Sequence, residues 1–236
     1  MALRNARSVT VVTGSGISAE SGVPTFRDAQ TGLWERCDPQ ELATPEAYQR
    51  DPRLVWEWYS WRRQLVEKAA PNPGHKALAE LERWVASFTL VTQNVDGLHR
   101  RVGSQNVIEL HGNIMRSKCS VEGVVTEPKE DDQGTPPSCP NCGAFLRPDV
   151  VWFGEMLPAG ALEEAYGAVR RCDLFFSVGT SGLVQPAASL AFEALRQGAV
   201  IVEVNPNDTP LTGHADYALR ARAGEVLPAL VKAAYG

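Results

Sequence analysis

No apolar run in the 236-residue chain approaches the roughly 20 residues that span a bilayer. The opening "MALRNARSV" offers no signal-peptide core before the first apolar stretch begins. There is no basic excess either. The chain carries 23 Lys and Arg against 28 Asp and Glu, a formal net charge of −5, which argues against a generic nucleic-acid binder but not against cationic peptide partners. The five cysteines are an odd count, and a chain of this size should not depend on disulfides. Cys37 and Cys172 read as a loop thiol and a small apolar filler, whereas Cys139 and Cys142 stand together in "CPNC". No internal repeat is visible. The expectation is a cytosolic, soluble protein, monomeric by default, with no membrane or nucleic-acid partner and one sizeable core plus a small module.

Short apolar, β-branched runs do recur, at 8–12, 88–92, 106–110, 173–179 and 199–205. They lack strict alternation, which suits strands buried on both faces of a parallel sheet. Helical patterns lie between and after them, in "PNPGHKALAELERWV", "PAGALEEAYGAVRR", "PAASLAFEALRQG" and "GEVLPALVKAAY". That alternation predicts an α/β fold, a Rossmann-like doubly wound parallel sheet. Two segments break it. Residues 30–70 place Trp34, Trp56, Trp58 and Trp61 among charges and read as a helical excursion, and 112–149 form a polar, Pro-rich insert around the Cys pair. The expected division is a Rossmann-like part (1–29, 71–111 and 150–236) and a small two-part domain, helical over 30–70 and zinc-ribbon-like over 112–149.

The first strand runs into "GSGISAESGVPTFR", Gly14 to Arg27. This loop lacks the third glycine of G-x-G-x-x-G and the Lys-Ser/Thr ending of a P-loop. Gly14 and Gly16 allow a tight turn and close approach to a pyrophosphate, and "SAES" could open a helix facing that anion. A lone G-x-G is weak, since such turns occur without ligands. The far end of the loop is less common: Pro24, Thr25, Phe26 and Arg27 bring a ring and a cation toward the same place. A second polar cluster, Gln93, Asn94 and Asp96, comes after the predicted strand at 88–92, where open α/β sheets bind ligands. Those side chains could equally cap the next helix. His111 ends a third strand at the same sheet edge, which raises it from a structural histidine to a candidate general base. An imidazole with its ordinary pKa of about 6.5 would work near neutral pH.

Together these stretches resemble the sirtuins, NAD-dependent protein-lysine deacylases: "GSGISAESGVPTFR", "TQNVDGLH", "LHG", "PDVVWFGE", "GTSGLVQPAA" and "VEVN" occur in family order along nearly the whole chain. The resemblance implies cleavage of NAD at its nicotinamide–ribose bond, with no hydride transferred, and acyl-lysine proteins or peptides as the other substrate. It implies His111 as the base and Asn94 as the catalytic partner that orders water. It assigns cofactor contacts to Gly14, Ser15, Gly16, Ile17, Ala19, Glu20, Thr25, Phe26, Arg27, Gln93, Asn94, Asp96, Gly179, Thr180, Ser181, Asn205 and Ala223. Asp96 and Asn94 would hold the carboxamide, Gln93 a ribose, and Asn205 the adenosine ribose. Val151, Trp152, Phe153 and Gly154 match the segment on which the substrate peptide adds as a strand.

Two further features set this chain apart within the resemblance. Tyr59 and Arg62, three apart in a predicted helix, match the class that prefers succinyl and malonyl groups, and Thr25, where many sirtuins carry Asp, fits the same class. Arg offers a planar fork to a carboxylate that is costly to bury unpaired. The bland reading is a solvated helix charge with Tyr59 packed in a core. Sirtuins also hold a structural zinc on two Cys pairs, and here Glu122 stands where the partner of Cys119 is expected. Zinc on Cys119, Glu122, Cys139 and Cys142, weaker binding completed by water or Asp131, and no zinc all stay open. Two other functions share most motifs: a mono-ADP-ribosyltransferase and a non-catalytic NAD-sensing module.

Overall fold

The computed structural model of the protein describes residues 2–24, 38–130 and 132–236. In chain order the elements are α1 (Ala2–Asn5), β1 (Ser8–Thr13), α2 (Pro39–Leu42), α3 (Pro45–Arg50), α4 (Pro52–Lys68), α5 (Pro73–Trp84), β2 (Ser87–Thr92) and α6 (Leu98–Arg101). Next come β3 (Val107–Glu109), β4 (Gly112–Cys119), β5 (Leu146–Val150), α7 (Ala159–Val169) and β6 (Leu174–Val178). The chain closes with α8 (Ser189–Arg196), β7 (Val200–Val204), β8 (Tyr217–Leu219) and α9 (Ala223–Tyr235).

Six strands form one parallel sheet in the order β3-β2-β1-β6-β7-β8. Consecutive strand residues face opposite sides, so the unbroken apolar runs feed two cores at once. Val11, Leu90, Phe176 and Val202 meet Leu78 and Leu81 of α5 and Leu227 and Val231 of α9. Their neighbours Val12, Val91, Phe175 and Ile201 meet Val169 of α7 and Leu190 and Ala194 of α8. The expected doubly wound Rossmann-like sheet is present. Among the described residues no helix is long and apolar enough to cross a membrane.

The described parts of the two segments outside the alternation pack together. β4 and β5 form a separate antiparallel pair, a pairing that the sequence pattern did not reveal, and β8 also went unseen. α4 begins where Asp51 accepts the Leu54 N–H at 2.9 Å, with Pro52 in the first helical position. Its stripe Val55, Tyr59 and Val66, with Trp58, is buried against Ile114, Val150 and Trp152. Arg62 falls on that stripe, seven residues after Val55, where an apolar side chain would be the default. Its neighbour Arg63 fastens α4 to β4 by donating to the Ile114 carbonyl at 2.6 Å and to Ser117 Oγ at 3.2 Å.

Candidate functional site

The strand order reverses at β1, which lies between β2 and β6, and a crevice opens at such a switch point beyond the carboxyl ends of the strands. Register makes those ends flush: Thr13 pairs with Thr92 and with Val178, and Val178 pairs with Val204. The next residue in each strand is therefore Gly14, Gln93, Gly179 and Asn205, and His111 stands two residues after β3 ends at Glu109. All five line one cleft of about 930 Å³, at the upper end of the size of small-molecule sites. Ser15, Gly16, Ala19, Glu20, Asn94, Asp96, Thr180, Ser181 and Ala223 line it too, as do Tyr59, Arg62, Val151, Trp152, Phe153 and Gly154. Ile17 instead points into the core. Thr25, Phe26 and Arg27 lie outside the described residues, as do Cys37 and Asp131.

The glycine-rich turn differs from its expected form. "SAES" opens no α-helix; Ser15–Ile17 and Ala19–Ser21 are two single 3₁₀ turns. No long helix dipole faces an anion there. The glycines also have a nearer reason than a ligand. A Cβ on Gly14 or Gly16 would stand 2.8 or 2.7 Å from the Gly179 carbonyl oxygen. A Cβ on Gly179, which is left-handed at φ +59°, would lie 2.5 Å from the Ile17 nitrogen. Two glycine turns interlock at the switch point, and the cradle is built from their bare backbones.

The His111 ring is held by one bond, Nδ1 to the Gln93 carbonyl oxygen at 2.8 Å. A carbonyl only accepts, so Nδ1 carries the proton and Nε2 is the basic nitrogen. Burial pushes the imidazole below its ordinary 6.5, with the Gln93 bond acting the other way. The unshifted pKa expected from the sequence is therefore corrected downward, in the direction that favours the neutral ring. Gln93 is fixed in turn by its Nε2 donating to Thr180 Oγ1 at 3.1 Å.

Beneath it, Ser18 organises the second cluster. Its hydroxyl donates to Asp96 Oδ2 at 2.7 Å and accepts from Asn94 Nδ2 at 3.1 Å, with His75 Nε2 at 3.4 Å. The Asn72 N–H donates to His75 Nδ1, which leaves Nε2 of that ring as the protonated nitrogen facing Ser18. One donation and two acceptances exhaust a hydroxyl. Asp96 Oδ1 accepts the Leu98 N–H at 2.9 Å, and burial pushes its carboxyl up while these bonds hold it down. Ser18, Asn72 and His75 carry no mark of this role in the sequence. Only "PNP" ahead of a helix hints at Asn72, which caps α5 and donates to the Ile17 carbonyl at 2.6 Å.

His75 and His99 touch, ring centres 4.8 Å apart, and both are fully enclosed. Burial drives His75 down to about 4, and burial with the His75 neighbour drives His99 down to about 3. Both are neutral when folded and take protons more readily when unfolded. Their stabilisation is thus complete above pH 6.5 and is lost as pH falls through 6.5 toward 4 and 3, by up to about 1.4 kcal/mol per pH unit for each ring. Asp96 works in the opposite sense at lower pH, so the test is a difference between variants. His99→Gln retains a donor for Thr13 Oγ1, 3.0 Å from the present Nε2, but cannot titrate. Urea unfolding of that variant should show a shallower loss of stability between pH 6.5 and 4.5 than the parent. Parallel curves would remove His99 from the acid sensitivity.

The substrate-segment residues divide. Trp152 is 3% exposed and packs against Tyr48 and Tyr59, whereas Phe153 is 47% exposed at the mouth. β5 ends at Val150, and the N–H groups of Val151, Trp152 and Phe153 already serve the His111 carbonyl, Glu155 and the Ala43 carbonyl. Trp152 to Glu155 form a turn closed by the Glu155 N–H on the Trp152 carbonyl at 3.0 Å, and those three amides are not offered to a partner strand. Trp152 Nε1 donates to the Tyr59 hydroxyl oxygen at 3.0 Å, which leaves the Tyr59 O–H to donate elsewhere. The Arg62 guanidinium lies over the Trp58 ring, 4.9 Å from its centre, and burial lowers its pKa.

The Cys cluster assembles at the far end of β4. Cys119, Glu122, Cys139 and Cys142 bring their ligand atoms within 4.8 Å of one another, the sole such group of three or more among the described residues. Cys119 Sγ and Cys142 Sγ are 3.4 Å apart, and Cys139 Sγ lies 3.9 Å from Glu122 Oε2. A tetrahedral zinc with bonds of about 2.3 Å needs ligands roughly 3.8 Å apart, so the four residues fit the ion. Glu122 takes the position where a fourth thiolate is expected. A harder oxygen should hold zinc less firmly than a thiolate. Glu122→Cys should slow zinc release to a chelator roughly tenfold or more and raise the melting temperature. Equal release rates would exclude Glu122 as a ligand.

The sequence matches the Sir2 family over residues 14–186. An NAD-dependent protein deacylase of Aeropyrum pernix is 53% identical over 231 residues, 98% of this chain and 94% of the relative. The crystal structure of a Sir2 homologue–NAD complex superposes with a TM-score of 0.92 at 48% identity, over 99% of this chain and 91% of the other. A Sir2–p53 peptide–NAD+ complex gives 0.87 at 32% identity, over 98% and 95%. With a family match across most of its length and relatives near half identity throughout, the chain belongs to the Sir2 family.

Proposed function

We propose that the protein is an NAD-dependent protein-lysine deacylase whose acyl pocket favours chains ending in a carboxylate. The observation that carries the first half is His111, a neutral base fixed through Nδ1 and lining the cleft beside Gln93, Asn94 and Asp96. Bound NAD would supply an activated ribose carbon with nicotinamide as leaving group. The chain's own residues do the rest. His111 Nε2 accepts the proton of a ribose hydroxyl, and the Gln93 carbonyl steadies the imidazolium that results. Asn94 and Asp96, locked by Ser18, present an amide and a carboxylate of fixed orientation to a carboxamide. The interlocked turns at Gly14, Gly16 and Gly179 give backbone room for phosphates, and Asn205 is set by donating to the Thr180 carbonyl at 2.9 Å.

The second half rests on the placement of Arg62. A cation on the apolar stripe of α4, lining the cleft beside a Tyr hydroxyl, is suited to a succinyl or malonyl carboxylate. Acetyl-lysine, being smaller, enters the same pocket. The test is incubation with NAD and succinyl-, malonyl- and acetyl-lysine peptides, followed by mass spectrometry. Nicotinamide with O-acyl-ADP-ribose is expected. ADP-ribose appearing on protein would point to a transferase, and no nicotinamide release would leave a binding module.

A further inference from the structure

β7 carries a carboxylate where the fold calls for an apolar residue. Glu203 lies mid-sheet, paired with Ser177 of β6 and Ala218 of β8, and is 0% exposed. Its neighbour two residues back on the same face, Ile201, packs with α8. A lone buried carboxylate is costly, and this one is fully bonded. Oε1 accepts the Thr209 hydroxyl, and Oε2 accepts the Thr212 hydroxyl at 2.6 Å and Arg220 Nη1 at 3.3 Å. Arg220 extends the reach by donating to the Asn207 carbonyl at 3.3 Å and pairing with Asp208. The loop closes on itself where the Asn207 N–H donates to Asn205 Oδ1 at 3.1 Å and the Thr209 N–H to Thr212 Oγ1 at 2.9 Å.

The loop so fastened, residues 205–210, lines the cleft on the β7 side of the switch point. His111, Asn94 and Asp96 lie on the opposite side, after β2 and β3. A dinucleotide with its reacting end at His111 therefore presents its far, adenosine end to this loop. We propose that Glu203, acting with Arg220, is a positioning residue that sets affinity for the ADP-ribose portion of the dinucleotide without touching the chemistry. The proposal rests on the deacylase reading above.

The test uses Glu203→Gln and Arg220→Met in the full chain. ADP-ribose dissociation and the KM for NAD should each rise roughly tenfold, the effect of losing one charge-assisted bond. The kcat of deacylation and the inhibition constant of nicotinamide should stay within about twofold of the parent, since neither depends on the far end. A merely structural role would instead lower the melting temperature and leave KM unmoved. Should Glu203→Gln not fold, Arg220→Met, which alters a half-exposed side chain, still decides. Unchanged ADP-ribose affinity in folded Arg220→Met overturns this positioning role and leaves the deacylase reading standing. Failure of the parent to bind ADP-ribose overturns the deacylase reading and the proposal with it.

Discussion

Replacing His111 with alanine should lower deacylation by about 10²–10⁴-fold, the usual worth of a positioned general base. The fold should survive, because the ring is only partly enclosed and makes one hydrogen bond. NAD affinity should change little, since the base acts on bond making after the cofactor is seated. The pH profile gives a second readout. Burial holds the imidazole below 6.5, so the acid limb of kcat/KM should fall below that value, where the ring gains its proton and can no longer accept one. Residual activity in His111→Ala should lack that limb. Turnover within a few-fold of the parent, or an unchanged acid limb, would remove His111 from the role.

Much of this arrangement was legible because it obeys short-range rules. Val11 and Val12, or Phe175 and Phe176, read as buried on both faces since a parallel sheet between helices has no wet side. Strand ends were legible as a site because a parallel sheet aligns its carboxyl termini, which is how Gln93, Asn94, Asp96 and His111 could be grouped beside the Gly14 turn before any contact was known, while Gly179 and Asn205 came only with the family resemblance. The hidden part depends on contacts distant in sequence. His75 and His99 look like ordinary helix histidines until packing brings them ring to ring. Ser18 sits in a loop of small residues, and nothing local marks it as the hydroxyl joining Asn94 to Asp96. Gly14 and Gly16 read as room for a pyrophosphate, but the neighbour that stands against them is the Gly179 turn, most of the chain away. Glu203 in "VIVEV" has partners that lie outside the strand, and only the fold brings Thr209, Thr212 and Arg220 to it.

The prediction with the sharpest selectivity concerns Arg62. Removing the partner of a buried carboxylate typically costs about 2–5 kcal/mol, because the substrate charge is left desolvated and unpaired. Since about 1.4 kcal/mol is tenfold, Arg62→Met should lower kcat/KM for succinyl-lysine by roughly thirty-fold or more. Methionine suits the site sterically: Val55, Trp58, Tyr59 and Val66 form the apolar stripe that Arg62 interrupts, and an unbranched thioether can lie over the Trp58 ring as the guanidinium does. Burial already disfavours the charge at this position, so methionine removes a cation that the surroundings oppose. Acetyl-lysine has no carboxylate to strand, and its kcat/KM should hold or rise. Tyr59→Phe should act in the same direction at smaller size. It removes one neutral donor, and it also strands Trp152 Nε1, which now donates to that hydroxyl, so part of its loss should appear with both substrates. The quantity to compare is the succinyl-to-acetyl ratio in each variant, because a folding defect lowers both efficiencies together and leaves the ratio alone. An unchanged ratio in Arg62→Met would mean that α4 does not read the acyl charge, and a deacetylase pocket would then describe the enzyme better.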